Sequence, residues 1–168
     1  MSNIVDFRVP RTARNSGDYE QLFCDVTEAI WPKSVEGEAL AHIAQGTPGQ
    51  RAFFVTTLFA RLVDNGGFAG FFGPAGFYSN DVAEALRLLG AQDLHKAFLE
   101  GLSVLTKGEA VPMDADERSA MADGLSGRDA RLLDAIDDRL YQGSSVEAAL
   151  FPYFKQYADA HPQELYRE

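Results

Sequence analysis

The sequence predicts an all-α fold, a compact orthogonal or antiparallel bundle of six to eight helices in a single domain. Apolar residues recur at helical spacing along most of the chain, and no alternating run longer than four residues indicates a strand. Short breaks with Gly, Ser or Pro separate these segments, so neighbouring helices should pack antiparallel. A length of 168 residues suits one domain. We expect a flexible N-terminal tail over 1–16 and a single helical domain over 17–168.

The first helices are predicted from local caps and breaks. Asp18 and Gln21 form a capping box and Pro32 is a stop, which together predict a helix over about 19–31. A short helix over about 37–44 follows.

The start of the next helix is the clearest in the chain. Thr47 and Gln50 form a capping box, and Pro48 takes the first helical position. This helix should run to about Asp64. Its apolar residues lie on more than one side, which indicates a central, well-buried helix.

The later helices are predicted in the same way, from a polar cap before each apolar stripe and a Gly after it. Pro152 lies inside the last stripe and predicts a kink or a restart there. The expected caps are Ser79 or Asn80, Ser126 with Asp129, and Ser144 with Glu147, and the expected helices span about 79–89, 91–105, 114–124, 126–141 and 144–160.

A glycine-rich aromatic motif follows the central helix. Asn65, Gly66 and Gly67 tolerate the positive φ that a helix C-terminus often requires, so they should end the helix. Glycine and proline then separate a dense group of rings, which predicts a short helical turn and a loop held against the core. The rings are Phe68, Phe71, Phe72, Phe77 and Tyr78.

The charge is strongly negative and unevenly distributed. The net charge is −10, and residues 109–138 hold nine acidic and three basic residues. Direct binding of nucleic acid is not expected, because it depends on Lys and Arg neutralising phosphates. The acidity suits either a basic partner or solubility alone. The three bases are Arg118, Arg128 and Arg131.

The remaining composition indicates a protein of the cytoplasm. Cys24 is the single cysteine, which excludes an internal disulfide and fits a reducing compartment. The start of the chain has no basic region followed by an apolar run, so no signal peptide is expected. No window reaches 18 apolar residues, so no membrane span is expected.

No catalytic residue, cofactor site or metal site is predicted. No histidine lies three or four residues from a cysteine or another histidine. Asp134, Asp137 and Asp138 share a helix face and could hold a divalent ion, but a solvated face is the better interpretation. The glycines between 66 and 76 follow a helix rather than a strand, which favours close packing over a phosphate loop.

The motif resembles a bacterial family of unknown function that includes a DNA-mimic protein. The resemblance is carried by Asn65-Gly66-Gly67-Phe68-x-x-Phe71-Phe72, with Ala85–Ala91 and Tyr157 in support, over about residues 50–160. It implies an all-α fold that is often dimeric. For the DNA-mimic member it implies a negative surface that occupies the DNA-binding face of a transcription factor. The resemblance also implies that the signature residues are structural and that no catalytic residue carries over.

Two functions therefore compete. The first is a non-enzymatic acidic protein that binds the DNA-binding face of a transcription factor or another basic protein. Its contact residues would be Asp123, Asp129, Asp134, Asp137 and Asp138. The second is a small helical dimer that binds a metabolite or protects another protein. In that case the aromatic loop 68–78 lines a pocket or an interface, and the acidity serves solubility only.

Overall fold

The computed structural model describes residues 8–10, 21, 24–25, 44–141 and 144–167. In this part of the chain the fold is all-α, apart from a short parallel pairing of β1 (Val9–Pro10) with β2 (Tyr166–Arg167). The helical elements are α1 (Pro48–Ala75), a 3-10 turn (Gly76–Tyr78), α2 (Ser79–Leu88), α3 (Gln92–Thr106), α4 (Ala115–Asp123), α5 (Gly127–Tyr141), α6 (Val146–Ala160) and α7 (Pro162–Leu165).

Some predictions concern the N-terminal part of the chain. Gln21, Cys24 and Asp25 are helical, whereas the rest of the predicted helix 19–31 lies outside the described residues. The predicted helix 37–44 also lies outside them, apart from Ala44 in a turn. Within the predicted tail, β1 pairs with β2 near the end of the chain.

Helix α1 is central, as its apolar pattern predicted. Helices α2, α4, α5 and α6 all pack against it. Its predicted start is confirmed: the Thr47 hydroxyl accepts from the Gln50 N–H at 3.2 Å, and the Gln50 amide oxygen accepts from the Thr47 N–H at 3.1 Å. Each bond satisfies a backbone donor that helix geometry leaves unpaired near the N-terminus.

The predicted break after Asp64 is confirmed, but the predicted loop after it is wrong. Gly66 and Gly67 leave helical geometry, and Gly67 has a φ of 66°. The chain then resumes as helix from Phe68 to Ala75 and continues into the 3-10 turn. Burial of the rings on one side of this second half outweighs the poor helix propensity of its glycines.

Three smaller predictions are corrected. Neither Ser79 nor Asn80 caps α2, which begins at Ser79; the Ser79 hydroxyl donates to the Gly76 carbonyl at 2.5 Å. Ser145 rather than Ser144 caps α6, accepting from the Ala148 N–H at 3.0 Å. Helix α6 continues through Pro152 without a restart, because the buried residues on either side of it hold both halves against α1.

The core is built around four phenylalanine rings. Phe59 lies with its ring centroid 5.2 Å from that of Phe71 and 5.1 Å from that of Phe98, both edge to face. Phe68 completes the group at 5.4 Å from Phe98. Such edge-to-face contacts suit the quadrupoles of the rings. The cluster joins both halves of α1 to α3.

Candidate functional site

The glycine-rich motif is a junction between three helices. The Asp64 carboxylate accepts from the N–H groups of Val146 at 2.7 Å and Glu147 at 3.2 Å, and so caps α6. A second cap lies where α1 resumes after the glycines. There, Oδ1 of Asp137 on α5 accepts from the Phe68 N–H at 2.8 Å. The motif is therefore structural, and its two caps fix the ends of helices that meet there.

The predicted aromatic loop is part of the core. Phe68, Phe71 and Phe72 are 0 % exposed, and Tyr78 is buried. Phe77 is half-buried. Phe68, Phe71, Phe72 and Tyr78 are therefore core residues, and Phe77 is the ring of this segment that keeps some exposed surface.

The predicted acidic residues do not all face solvent. Asp134 and Asp138 are exposed one turn apart on α5, and Asp123 is exposed at the end of α4. Asp129 is half-buried, with its carboxylate 3.7 Å from the Lys107 ammonium. Asp137 points inward to the Phe68 N–H. The structure thus leaves Asp123, Asp134 and Asp138 as surface carboxylates and gives Asp137 a structural role.

Burial explains the electrostatics of Asp137. Desolvation raises the pKa of its carboxyl group, and the charges of Asp134 and Asp138 raise it further. The hydrogen bond from Phe68 opposes this by stabilising the carboxylate. The ionised carboxylate therefore caps the Phe68 N–H, although burial and the two neighbouring carboxylates disfavour its charge.

Two substitutions at Asp137 should separate the cap from the charge. Asp137→Ala removes the acceptor and should lower the free energy of unfolding by about 1 kcal/mol. Asp137→Asn keeps an oxygen acceptor without the charge and should cost less. Because the folded-state pKa is raised, the wild type should lose stability relative to Asp137→Asn as pH rises through that pKa. Urea unfolding across acidic to neutral pH measures both effects, and a loss of equal size in the two variants would contradict the cap.

Arg118 is a buried cation that the sequence did not reveal. It is 1 % exposed, and its guanidinium donates to carbonyl oxygens on two sides. Nε donates to the carbonyl oxygens of Phe72 at 3.0 Å and Gly73 at 2.9 Å. Nη1 donates to the carbonyl oxygens of Pro112 at 2.8 Å and Met113 at 2.7 Å. The carbonyls of Phe72 and Gly73 belong to the last turn of α1, whose carbonyls carry the negative end of the helix dipole, and the Phe72 carbonyl also accepts from the Gly76 N–H.

This arrangement holds α4 and the loop before it against the end of α1. Burial lowers the pKa of the Arg118 guanidinium while the charge of Asp114 opposes the change, and the group stays charged. The guanidinium carbon also lies 5.3 Å from the centroid of the Phe77 ring. One sequence signal was available, because Arg118 lies three and four residues before the apolar Met121 and Ala122, on the same side of the helix. In the structure both of these residues are half-buried.

Two shallow hollows flank α3. The α3–α4 hollow is about 290 Å³, and the α3–α5 hollow is about 480 Å³. Among the described residues no group of three or more His, Cys, Asp or Glu side chains is placed to hold a metal ion. The α3–α4 hollow is lined by Leu105, Thr106, Lys107, Glu109, Ala120, Met121, Gly124 and Leu125. The α3–α5 hollow is lined by Glu100, Ser103, Val104, Leu132, Ala135, Ile136 and Arg139.

The fold and surface define a helical domain with carboxylates exposed on α4 and α5. Residues 44–161 match the model of the family described as DMP19-like protein, and the chain belongs to that family. No curated protein and no solved structure matches the chain significantly. Within the described residues, no helix combines the length and the apolar character needed to cross a membrane.

Proposed function

We propose that the chain is a non-enzymatic, cytoplasmic bacterial protein that acts as a DNA mimic. Its acidic surface binds the DNA-binding face of a transcription factor or another basic protein. The resemblance of the Asn65–Phe72 motif to a family with a DNA-mimic member supports this proposal. Membership of the DMP19-like family is consistent with it.

The excess of exposed carboxylates over exposed bases in residues 109–138 carries the proposal. Residues 109–138 hold nine acidic residues against three basic ones, and Arg118 is one of the three. Its guanidinium is buried and bound to backbone carbonyls, so Arg118 is not among the bases exposed at the surface. Seven of the nine acidic residues are exposed, against two exposed bases, Arg128 and Arg131, so the surface of this segment is strongly negative.

The spacing of the exposed carboxylates also supports mimicry. Asp134 and Asp138 are four residues apart on α5, which is a rise of about 6 Å. Duplex DNA carries one charge per about 1.7 Å of its axis over two strands. Each row of carboxylates is sparser than the duplex backbone, and α4 and α5 together offer a cationic protein several regularly spaced negative charges. Further exposed members are Asp114, Asp116, Glu117 and Asp123.

Charge reversal on α5 tests the proposal. The double variant Asp134→Lys with Asp138→Lys should weaken the complex with a basic partner at least about tenfold, since like charges would then face each other. Asp137 is left unchanged because it caps α1. The matched control is Glu84→Lys with Asp93→Lys, which makes the same charge change at exposed sites outside residues 109–138.

The partner is first captured from lysate of the source cell, eluted with a salt gradient and identified by mass spectrometry. A DNA-binding protein that elutes at moderate salt, and that duplex DNA displaces, is the expected result. Affinities of the two double variants are then measured with that partner. Equal binding by both variants, or a complex that DNA does not displace, would contradict DNA mimicry through α5.

A further inference from the structure

We propose that the α3–α4 hollow receives the apolar side chains of a basic amphipathic helix on the partner protein. This inference rests on the proposed function and deepens it, because it adds a shape requirement to a surface otherwise defined by charge. An amphipathic helix docks its apolar face into a groove while its charged residues reach the rim.

The floor of the hollow is apolar and partly open. Leu105 is buried beneath it, Met121 and Leu125 are half-buried, and Ala120 is exposed on its wall. A volume of about 290 Å³ accepts an aliphatic side chain or the stem of a lysine or arginine. Covering Met121 and Leu125 would remove apolar surface from water, which favours an occupant with an apolar face.

The lining of the hollow holds one acidic and one basic residue, and an acidic excess at its rim comes from the neighbouring Glu117 and Asp129. Glu109 lines it and is exposed, and Glu117 lies one turn before Met121 on the same side of α4. Lys107 is the basic residue on the lining, and Asp129 lies 3.7 Å from its ammonium. A cation at this rim therefore meets carboxylates whose charge Lys107 does not cancel.

The rim is also held in place before any partner binds. The Glu109 N–H donates to the Thr106 carbonyl at 2.9 Å, and the Gly108 N–H donates to the Thr106 hydroxyl at 3.3 Å. Arg118 fixes the carbonyls of Pro112 and Met113 further along the same connection. A preformed rim costs less ordering entropy on binding.

The α3–α5 hollow lacks this combination and serves as the control. It is larger, but at its rim Glu100 is already paired with Arg139. A basic helix would find no free carboxylate there among the lining residues. Ala120 and Ala135 are both exposed helical alanines, one on the wall of each hollow.

The test fills each hollow with a neutral side chain. The probe is a synthetic peptide of leucine and lysine, about five helical turns long, with its leucines on one face. A scrambled peptide of the same composition is the control. Ala120→Trp should lower affinity for the amphipathic peptide at least about tenfold, or about 1.4 kcal/mol. Ala135→Trp should leave it unchanged. Glu109→Gln should weaken binding and reduce its salt dependence.

The outcomes separate this inference from the proposed function. Fluorescence anisotropy titrations give the affinities, and thermal unfolding midpoints confirm that both tryptophan variants are folded. If Ala120→Trp binds as well as the wild type, or the scrambled peptide binds equally well, the hollow is not a docking site, while the lysate partner still tests DNA mimicry. If the lysate yields no basic partner, the proposed function itself fails.

Discussion

Replacing Arg118 with alanine is expected to lower the free energy of unfolding by about 3–5 kcal/mol. Breaking a buried hydrogen-bond network is among the few mechanisms that give losses of this size. The substitution removes a charged donor from carbonyls of α1 and of the loop before α4, and each bond to a charged group contributes about 1.5–3 kcal/mol, not additively. Urea unfolding followed by far-UV circular dichroism measures the loss.

Two further variants make the Arg118 prediction specific. Arg118→Lys keeps the charge but places its donors on one nitrogen, which cannot span the carbonyls on both sides, so an intermediate loss is expected. Arg128→Ala removes an exposed arginine from the same acidic segment and should change stability by no more than about 0.5 kcal/mol. Comparable losses for Arg118→Ala and Arg128→Ala would contradict the role of Arg118 as an anchor.

The predictions that succeeded depend on neighbours in sequence. Thr47 and Gln50 interact across three residues, so their capping box can be recognised without knowledge of the fold. The same holds for Ser126, which accepts from the Asp129 N–H at 3.2 Å before α5. The helix expected over 114–124 is confirmed as α4, with Asp114 accepting from the Glu117 N–H at 2.9 Å.

The features that sequence reasoning missed at Asp137, Arg118 and residues 68–75 depend on residues distant in sequence. Asp137 lies on the same helix face as Asp134, and only the position of Phe68, 69 residues away, turns it into a cap. Arg118 looks like a base in an acidic helix until the end of α1 is placed beside it, 45 residues earlier in the chain. For residues 68–75, glycine content predicted a loop because local propensity contains no information about packing.

These differences also change what the acidic surface is. As a count of charges, residues 109–138 form one negative segment. In the structure, one acidic residue, Asp137, and one basic residue, Arg118, bind backbone groups at helix ends. The exposed carboxylates that the proposal assigns to partner binding lie mainly on α4 and α5, and Arg118 fixes α4 to the end of α1. Stability and partner binding can therefore be tested at separate residues.

Replacing Phe59 with alanine is expected to cost about 3–5 kcal/mol, the usual loss for a fully buried ring. Phe59 is 0 % exposed and makes edge-to-face contacts with Phe68, Phe71 and Phe98. Deleting it leaves a cavity at the point where both halves of α1 meet α3. The matched control is Phe77→Ala, the same chemical change at a half-buried ring, which should cost less.

The position of Phe59 makes a second readout available. It lies in the first half of α1, whereas Phe68 and Phe71 lie in the second half beyond the glycines, so the rings hold the two halves together across a break in the backbone. Phe59→Ala should therefore speed amide exchange in residues 68–75 more than Phe77→Ala does. If hydrogen exchange accelerated equally in both variants, the second half would be held by its cap at Asp137 rather than by the rings, and the four-ring cluster would lose its role in joining the halves.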